Sequence, residues 1–402
     1  MRLLKPASAS PRSAARPYTG PCRMRILLAA KTMGVGGLER IVVALARELK
    51  HRGHEVWVVS SGGELIAAVA RAGATHVLAP LEITSPIGVA TSAQIIRRLI
   101  QDQRIDLVHS FSATASVAVN LALRVTDGRV RLVSSPMGLQ NSARELPVTT
   151  WLRNWFLTLG AEQILVISPE IRRHLKRVGA REESLVDFNF VGLDVAAFRG
   201  TPGDRGSVRH EFGFAEDAPI VSTVGALHPR KSHELFIQAA ARVSRELPRA
   251  RFLIVGEGEL HAELEEQVRA RGLSGKVVLT GVRDDVARIL SATDVYVKPG
   301  IVEGFVGITV LEALVLGKPV IAFETEDVKL ALVDGETGLI VPNGDVDRLA
   351  DGIVYLLRNP QVGVRLGQAG QQLVGERFDF GVLAQRLEEF YQGVLGRSAS
   401  LV

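Results

Sequence analysis

One cysteine, Cys22, stands in the 402 residues. That excludes an intramolecular disulfide and any cysteine-built metal cluster, and it fits a reducing cytoplasm. No apolar run reaches the roughly eighteen uninterrupted residues of a membrane span, and none near the start forms a signal-peptide core. Acidic residues are missing from positions 1–23, a stretch rich in Pro, Ser and Arg. It reads as a disordered basic extension, with an organelle transit peptide or a start at Met24 as alternatives. A strong charge imbalance is lacking too, since 48 Lys and Arg against 43 Asp and Glu leave a net charge of only +5. So mild an excess gives no footing for a nucleic-acid partner, while it allows attraction to nucleotides, phosphorylated substrates or an anionic membrane surface.

What is present is a globular composition, 47 % hydrophobic and 23 % charged, on a chain too long for one ordinary core. From Met24 onward short apolar runs alternate with stretches of helical spacing. Strands are expected at 25–30, 55–60, 75–79, 106–110, 129–134 and 163–167, and again at 219–224, 251–255, 276–279, 294–297 and 319–323. Apolar strands separated by helices imply parallel sheets covered on both faces. The fold class is therefore α/β, with two Rossmann-like doubly wound domains, 24–195 and 219–378, facing a central cleft. Residues 196–218, rich in Gly, Pro and charge, read as the interdomain linker. A last helix in 379–402 is expected to cross back to the first domain.

The stretch from Lys298 to Pro319, KPGIVEGFVGITVLEALVLGKP, joins a Gly-rich loop carrying Glu303 to a helix carrying Glu312. Free amides and the positive dipole end at such a junction favour an anion, typically a phosphate. Glu312, flanked by Val310, Leu311, Leu314 and Val315, needs a partner; a ligand hydroxyl is one candidate, solvent or a Lys the bland alternative. A second anion cradle is the loop 31–37 at the end of the first strand. Its spacing is not the dinucleotide fingerprint G-x-G-x-x-G, which weakens an oxidoreductase reading.

Several motifs then fall in one order: GGLERIV at 36–42, VGLD at 191–194, VGALHPRKSHELFIQA at 224–239, LIVGEGE at 253–259, TGVRDD at 280–285, EGFVGITVLEA at 303–313 and DGETGLIVPNGD at 334–345. Over nearly all of 24–391 the chain resembles the retaining glycosyltransferases of GT-B fold, family 4-like, also known as glycosyl transferases group 1. The resemblance implies a nucleotide-diphosphate sugar as donor and co-substrate, no required metal or other cofactor, and an acceptor bound mainly by the first domain. It implies that Lys231 places its ammonium on the donor diphosphate, that Glu303 holds hydroxyls of the donor sugar, and that Glu312 accepts hydrogen bonds from the ribose. Gly36 and Gly37 would approach the phosphates through their amides. Gly225 and Arg230 would flank the same site, Gly304, Phe305, Val306, Gly307, Ile308 and Thr309 would cap the phosphates, and the turn at Val282 would flank the base. His109, Phe111 and Met137 would lie on the acceptor side.

Three departures from the family pattern are visible. Eight residues separate Glu303 from Glu312 where seven are usual, Ala226 replaces a common Arg after Gly225, and Phe111 stands where a second His is frequent. A core role for His109 is the alternative to an acceptor-side one. These departures keep open a nucleotide-binding or scaffold protein of the same fold that has lost turnover; a nucleotide-sugar epimerase and a dinucleotide oxidoreductase are further alternatives. The acceptor is the least legible part. Trp151, Arg153, Trp155 and Phe156 at helical spacing would suit peripheral contact with the inner face of a membrane and a lipid-linked acceptor, or simply an amphipathic helix packed in the domain.

Overall fold

The structure is a computed structural model and describes residues 23–34, 36–82, 85–124, 130–136, 160–167, 169–199, 205–301 and 307–396. The first half runs β1 (Arg25–Ala29), α1 (Gly37–His51), β2 (Glu55–Ser60), α2 (Ile66–Arg71), β3 (Thr75–Leu78), α3 (Pro86–Gln103), β4 (Leu107–Ser110) and α4 (Ala113–Leu123). It continues with β5 (Arg131–Ser134), β6 (Gln163–Val166), α5 (Pro169–Arg177) and β7 (Leu185–Asp187). Two short helices follow, α6 (Val195–Arg199) and α7 (Arg205–Glu211). The second half holds β8 (Ile220–Val224), α8 (His233–Glu246), β9 (Arg251–Val255), α9 (His261–Ala270), β10 (Val277–Leu279), α10 (Val286–Ala292) and β11 (Val295–Lys298). It closes with α11 (Ile308–Val315), β12 (Val320–Phe323), β13 (Leu339–Val341), α12 (Val346–Arg358), α13 (Pro360–Arg377) and α14 (Phe380–Gly396).

Both sheets are parallel throughout. The first has the order β3-β2-β1-β4-β5-β6-β7 and the second β10-β9-β8-β11-β12-β13. In each, the order reverses beside the first strand, between β1 and β4 and between β8 and β11. Helices leave opposite faces at these two places, so a crevice opens at the carboxyl ends of the strands. The central strands can sit there because both their faces are apolar: β12, VIAF, is buried at every position.

Helix α1 shows how such a domain is assembled. Ile41, Val42, Leu45, Ala46 and Leu49 recur at helical spacing and bury one face, while Arg40 stays exposed on the first turn. Against that face packs α14, through Phe380, Leu383, Ala384, Leu387, Tyr391 and Val394. The last helix therefore belongs to the core of the first domain. Each of the larger ones, such as Leu383 and Leu387, stabilises the docking by about 1.5–3 kcal/mol. Where the chain crosses between the halves, its two strands of backbone are tied together: Leu193 N–H donates to the Phe378 carbonyl at 2.9 Å and Phe380 N–H to the Leu193 carbonyl at 3.1 Å.

The stretch 196–218, which shows little periodicity, is nonetheless largely structured. Val208, Phe214 and Ala218 pack with Ile220, Leu253 and Ile289 in the core of the second domain. Buried Arg209 explains why a polar segment can do so, because its guanidinium is satisfied by the Ala218 and Ala292 carbonyls and by Asp294 at 3.1 Å. Two further differences from expectation are short strands, β7 and β13, whose three residues each give too brief a run to stand out. Between β8 and β9 a 3-10 turn over Pro229–Lys231 leads into α8 at His233.

Candidate active site

Two helix N-termini meet at the crevice. Helix α1 begins at Gly37 and α11 at Ile308, and neither cap residue, Gly36 or Gly307, supplies a side-chain hydrogen bond. The two ends are close: a Cβ built on Gly37 would lie 3.8 Å from Ile308 Cδ1. First-turn amides lack intrahelical acceptors, so both positive ends favour an anion. The two glycines of α1 differ, however. Gly36 N–H already donates to the Gly34 carbonyl at 3.2 Å, and the Glu39 carboxylate folds over Gly36 so closely that a Cβ there would lie 2.2 Å from Glu39 Oε2. Glu39 is held by Thr32, whose hydroxyl donates at 3.1 Å. Gly37 is thus the better placed of the two to offer its amide.

On the second domain, Lys231, Thr223, Val224, His233, Gly307 and Thr309 line one small cavity beneath α11. Gly225 lies directly against Lys231. The stem of Lys231 runs across it, with Cγ, Cδ and Cε 3.6–3.7 Å from where a Cβ would stand. Thr309 is fixed by the Tyr296 hydroxyl, which donates to its Oγ1 at 2.8 Å. Arg230, beside Lys231 on the 3-10 turn, is exposed and does not line this cavity. Val282 follows Gly281, whose φ of +73° turns the chain, and is 77 % exposed, a bare apolar side chain. Its neighbour Arg283 is committed elsewhere, to Asp285 and Glu211 at 2.8 Å each.

Glu312 sits one turn into α11 among buried Val310, Leu311, Ala313 and Leu314. Its removal from water pushes its pKa up to about 7, against an opposing pull from Arg40 on α1. A carboxylate of the second domain therefore feels a cation of the first.

Sequence reasoning missed Lys298 and Asp327. Lys298, the last residue of β11, lines the same cavity as Lys231 yet is buried, and its ammonium stands 3.4 Å from buried Asp327. The pairing spans α11 and β12 and has no sequence signature. The Trp-rich stretch, Met137 and the residues Glu303, Gly304, Phe305 and Val306 lie outside the described residues.

His109 and Phe111 are both fully buried, so their acceptor-side placement is corrected. His109 Nδ1 meets the Tyr391 hydroxyl at 2.5 Å and Nε2 the Ser135 hydroxyl at 2.6 Å, and the Phe111 ring stacks on the imidazole at 4.1 Å. Burial pushes the His109 pKa down to about 3, which keeps it neutral. It ties α14 to β4 rather than facing a substrate. Among the described residues no three His, Cys, Asp or Glu side chains are grouped as metal ligands.

Comparison with known proteins places this geometry. The family model for glycosyl transferases group 1 matches residues 204–373, and that for glycosyltransferase family 4 matches 35–186. The chain is 28 % identical over 372 residues to the GDP-mannose-dependent alpha-(1-6)-phosphatidylinositol monomannoside mannosyltransferase of Mycolicibacterium smegmatis, covering 89 % of this chain and 95 % of that protein. It is 26 % identical over 253 residues to the alpha-D-kanosaminyltransferase of Streptomyces kanamyceticus, covering 62 % of this chain and 64 % of that one. Among solved structures, HepE of Anabaena in complex with UDP superposes with a TM-score of 0.77 at 20 % identity, covering 92 % of this chain and 100 % of HepE. A glycosyltransferase from Rickettsia africae gives a TM-score of 0.80 at 20 % identity, covering 92 % and 99 %. With one family model on each Rossmann-like half and GT-B structures superposing on both, the chain belongs to the group 1, family 4 glycosyltransferases of GT-B fold.

Proposed function

We propose that this glycosyltransferase moves a sugar from a nucleotide diphosphate sugar to a hydroxyl of a lipid-linked acceptor, with retention of the anomeric configuration. The observation that carries the donor assignment is the meeting of two helix N-termini, each without a side-chain cap, above a cavity lined by Lys231. As the glycosidic bond breaks, negative charge grows on the diphosphate. In this reading the Lys231 ammonium and the amides of Gly37, Gly307, Ile308 and Thr309 receive that charge, a preorganised cradle that needs little reorganisation. This reading gives the charge to the protein rather than to a metal ion. Glu312 accepts from the ribose hydroxyls, and Val282 lies against the base. The resemblance gives Glu303 the sugar hydroxyls.

Retention is supported by family membership, and a lipid-linked acceptor by the phosphatidylinositol monomannoside named for the mycobacterial relatives. No helix among the described residues is long and apolar enough to cross a membrane. The reading therefore places the chain at the inner membrane face as a peripheral protein. Lys231→Ala tests the donor assignment. Turnover, followed as nucleoside diphosphate released from UDP- or GDP-sugars, is expected to fall about 100-fold or more at an unchanged thermal midpoint. Normal turnover by the folded variant would remove the diphosphate role; nucleotide binding by wild type with neither transfer nor donor hydrolysis would point to a scaffold.

A further inference from the structure

At the face of the second sheet opposite the donor site, the amino ends of three neighbouring strands border a separate cavity of about 420 Å³. Pro219 precedes β8, Thr293 and Asp294 precede β11, and Lys318 and Pro319 precede β12. The donor site lies at the carboxyl ends of the same strands, about 15 Å away along a strand of five residues. Small-molecule sites occupy roughly 300–1,000 Å³, so the volume suits a ligand. No step of the donor reading uses it.

Three cations crowd one carboxylate in its wall. Arg205 donates to Asp294 Oδ1 at 2.5 Å, while Oδ2 takes Arg209 at 3.1 Å and the Ile220 N–H at 2.8 Å, so Asp294 is fully engaged. Buried Arg209 directs its remaining donors at the carbonyls of Arg205, Ala218 and Ala292. Lys318 lines the same cavity, and among the described residues its ammonium donates only to the Ser291 carbonyl, at 2.5 Å. Two of its three N–H groups are left to offer. Burial first, then Arg205 and Arg209 against the pull of Asp294, push the Lys318 pKa down to about 8. The other two carboxylates of the lining, Glu216 and Asp217, are exposed, and Asp217 is paired with Arg249. The first turn of α13, at Pro360 and Gly363, borders the same space and adds the positive end of an 18-residue helix. Leu356, Leu357 and Val364 make the rest of the wall apolar.

We propose that this cavity binds a phosphate monoester carrying an apolar part, with Arg205 and Lys318 on the phosphate and Arg209 adding its charge. A phosphate dianion offsets the positive excess that a single engaged carboxylate leaves. Its oxygens accept the N–H groups that Lys318 and Arg205 still offer, as charge-assisted hydrogen bonds. The apolar part lies on Leu356 and Val364, away from water. A soluble metabolite and a lipid headgroup both present this chemistry.

Calorimetric titration of the full chain with 1-naphthyl phosphate, and with dihexanoyl phosphatidic acid below its micelle concentration, tests this. Each titration is run with and without saturating UDP and GDP, because a phosphate can also enter the donor site. One-to-one binding that persists under saturating nucleotide, and that Lys231→Ala leaves within about three-fold, is expected. Binding of 1-naphthyl phosphate points to a soluble monoester, and of the phosphatidic acid alone to a lipid headgroup. Lys318→Met with Arg205→Gln should weaken the binding about ten-fold or more and leave UDP and GDP affinity within about three-fold. Arg209 stays on Asp294 in this variant, so no carboxylate loses its last partner. Lys318→Arg, which keeps the cation, should retain most of the affinity. A folded double variant that binds both probes like wild type would overturn the proposal. So would wild-type binding that UDP or GDP abolishes, or no binding of either probe, and these two results hold whether or not the variant folds.

Discussion

Glu312→Gln separates two consequences of one buried carboxylate. Burial holds its pKa at about 7 in the folded chain, whereas a free Glu titrates near 4.5. Between those values the folded state binds the extra proton. Stability attributable to this group is therefore intact below about pH 4.5 and falls as pH rises toward 7. The full gap corresponds to about 3 kcal/mol, and partial exposure brings it nearer to about 2. Gln mimics the protonated form, so the variant should match wild type at pH 4.5–5 and exceed it by about 2–3 kcal/mol at pH 8. For a domain of this size that is about 5–10 °C in thermal midpoint. Nucleotide affinity should move the other way. At pH 8 the variant loses a charged acceptor for the ribose hydroxyls, and UDP or GDP should bind about ten-fold more weakly. The assay is a set of thermal midpoints from pH 5 to 8, paired with titration calorimetry at pH 8. Equal pH slopes for the two proteins would refute the burial argument. Unchanged affinity would refute the ribose assignment.

Other outcomes follow from the same structure. Lys231→Ala should reduce turnover about 100-fold or more with little change in unfolding midpoint, read from paired kinetic and melting measurements. Tyr391→Phe removes the hydroxyl that meets His109 at 2.5 Å and leaves a buried ring nitrogen without that partner. It should lower stability by about 1–2 kcal/mol in urea denaturation while sparing nucleotide affinity; a loss of affinity instead would return His109 to the binding site.

The strands were legible because those of a parallel sheet are apolar on both faces, as in RILLA of β1 and VIAF of β12. The starts of α1 and α11 were legible because helical spacing sets in right after Gly-rich stretches. Glu312 stood out by its apolar neighbours. What remained hidden depends on long-range pairing. Tyr391 reaches His109 across 282 positions, and Arg40 of the first domain opposes Glu312 of the second. A lone His on an apolar strand cannot announce which of its roles applies; two buried hydroxyls beside it decide that. Gly, Pro and charge made residues 196–218 look like linker, yet two carbonyls and Asp294 let Arg209 lie inside. Lys298 read as the edge of a motif until folding set it beside Asp327.

The central claim is that the convergence of α1, α11 and Lys231 is a donor diphosphate site. It is tested most directly by the thermal midpoint of the full chain with UDP, GDP, ADP, their sugar conjugates and NAD(P). The account predicts that one nucleoside diphosphate series raises the midpoint, growing with concentration as binding to the folded state requires. Stabilisation by none of them, or by NAD(P) alone, would contradict it.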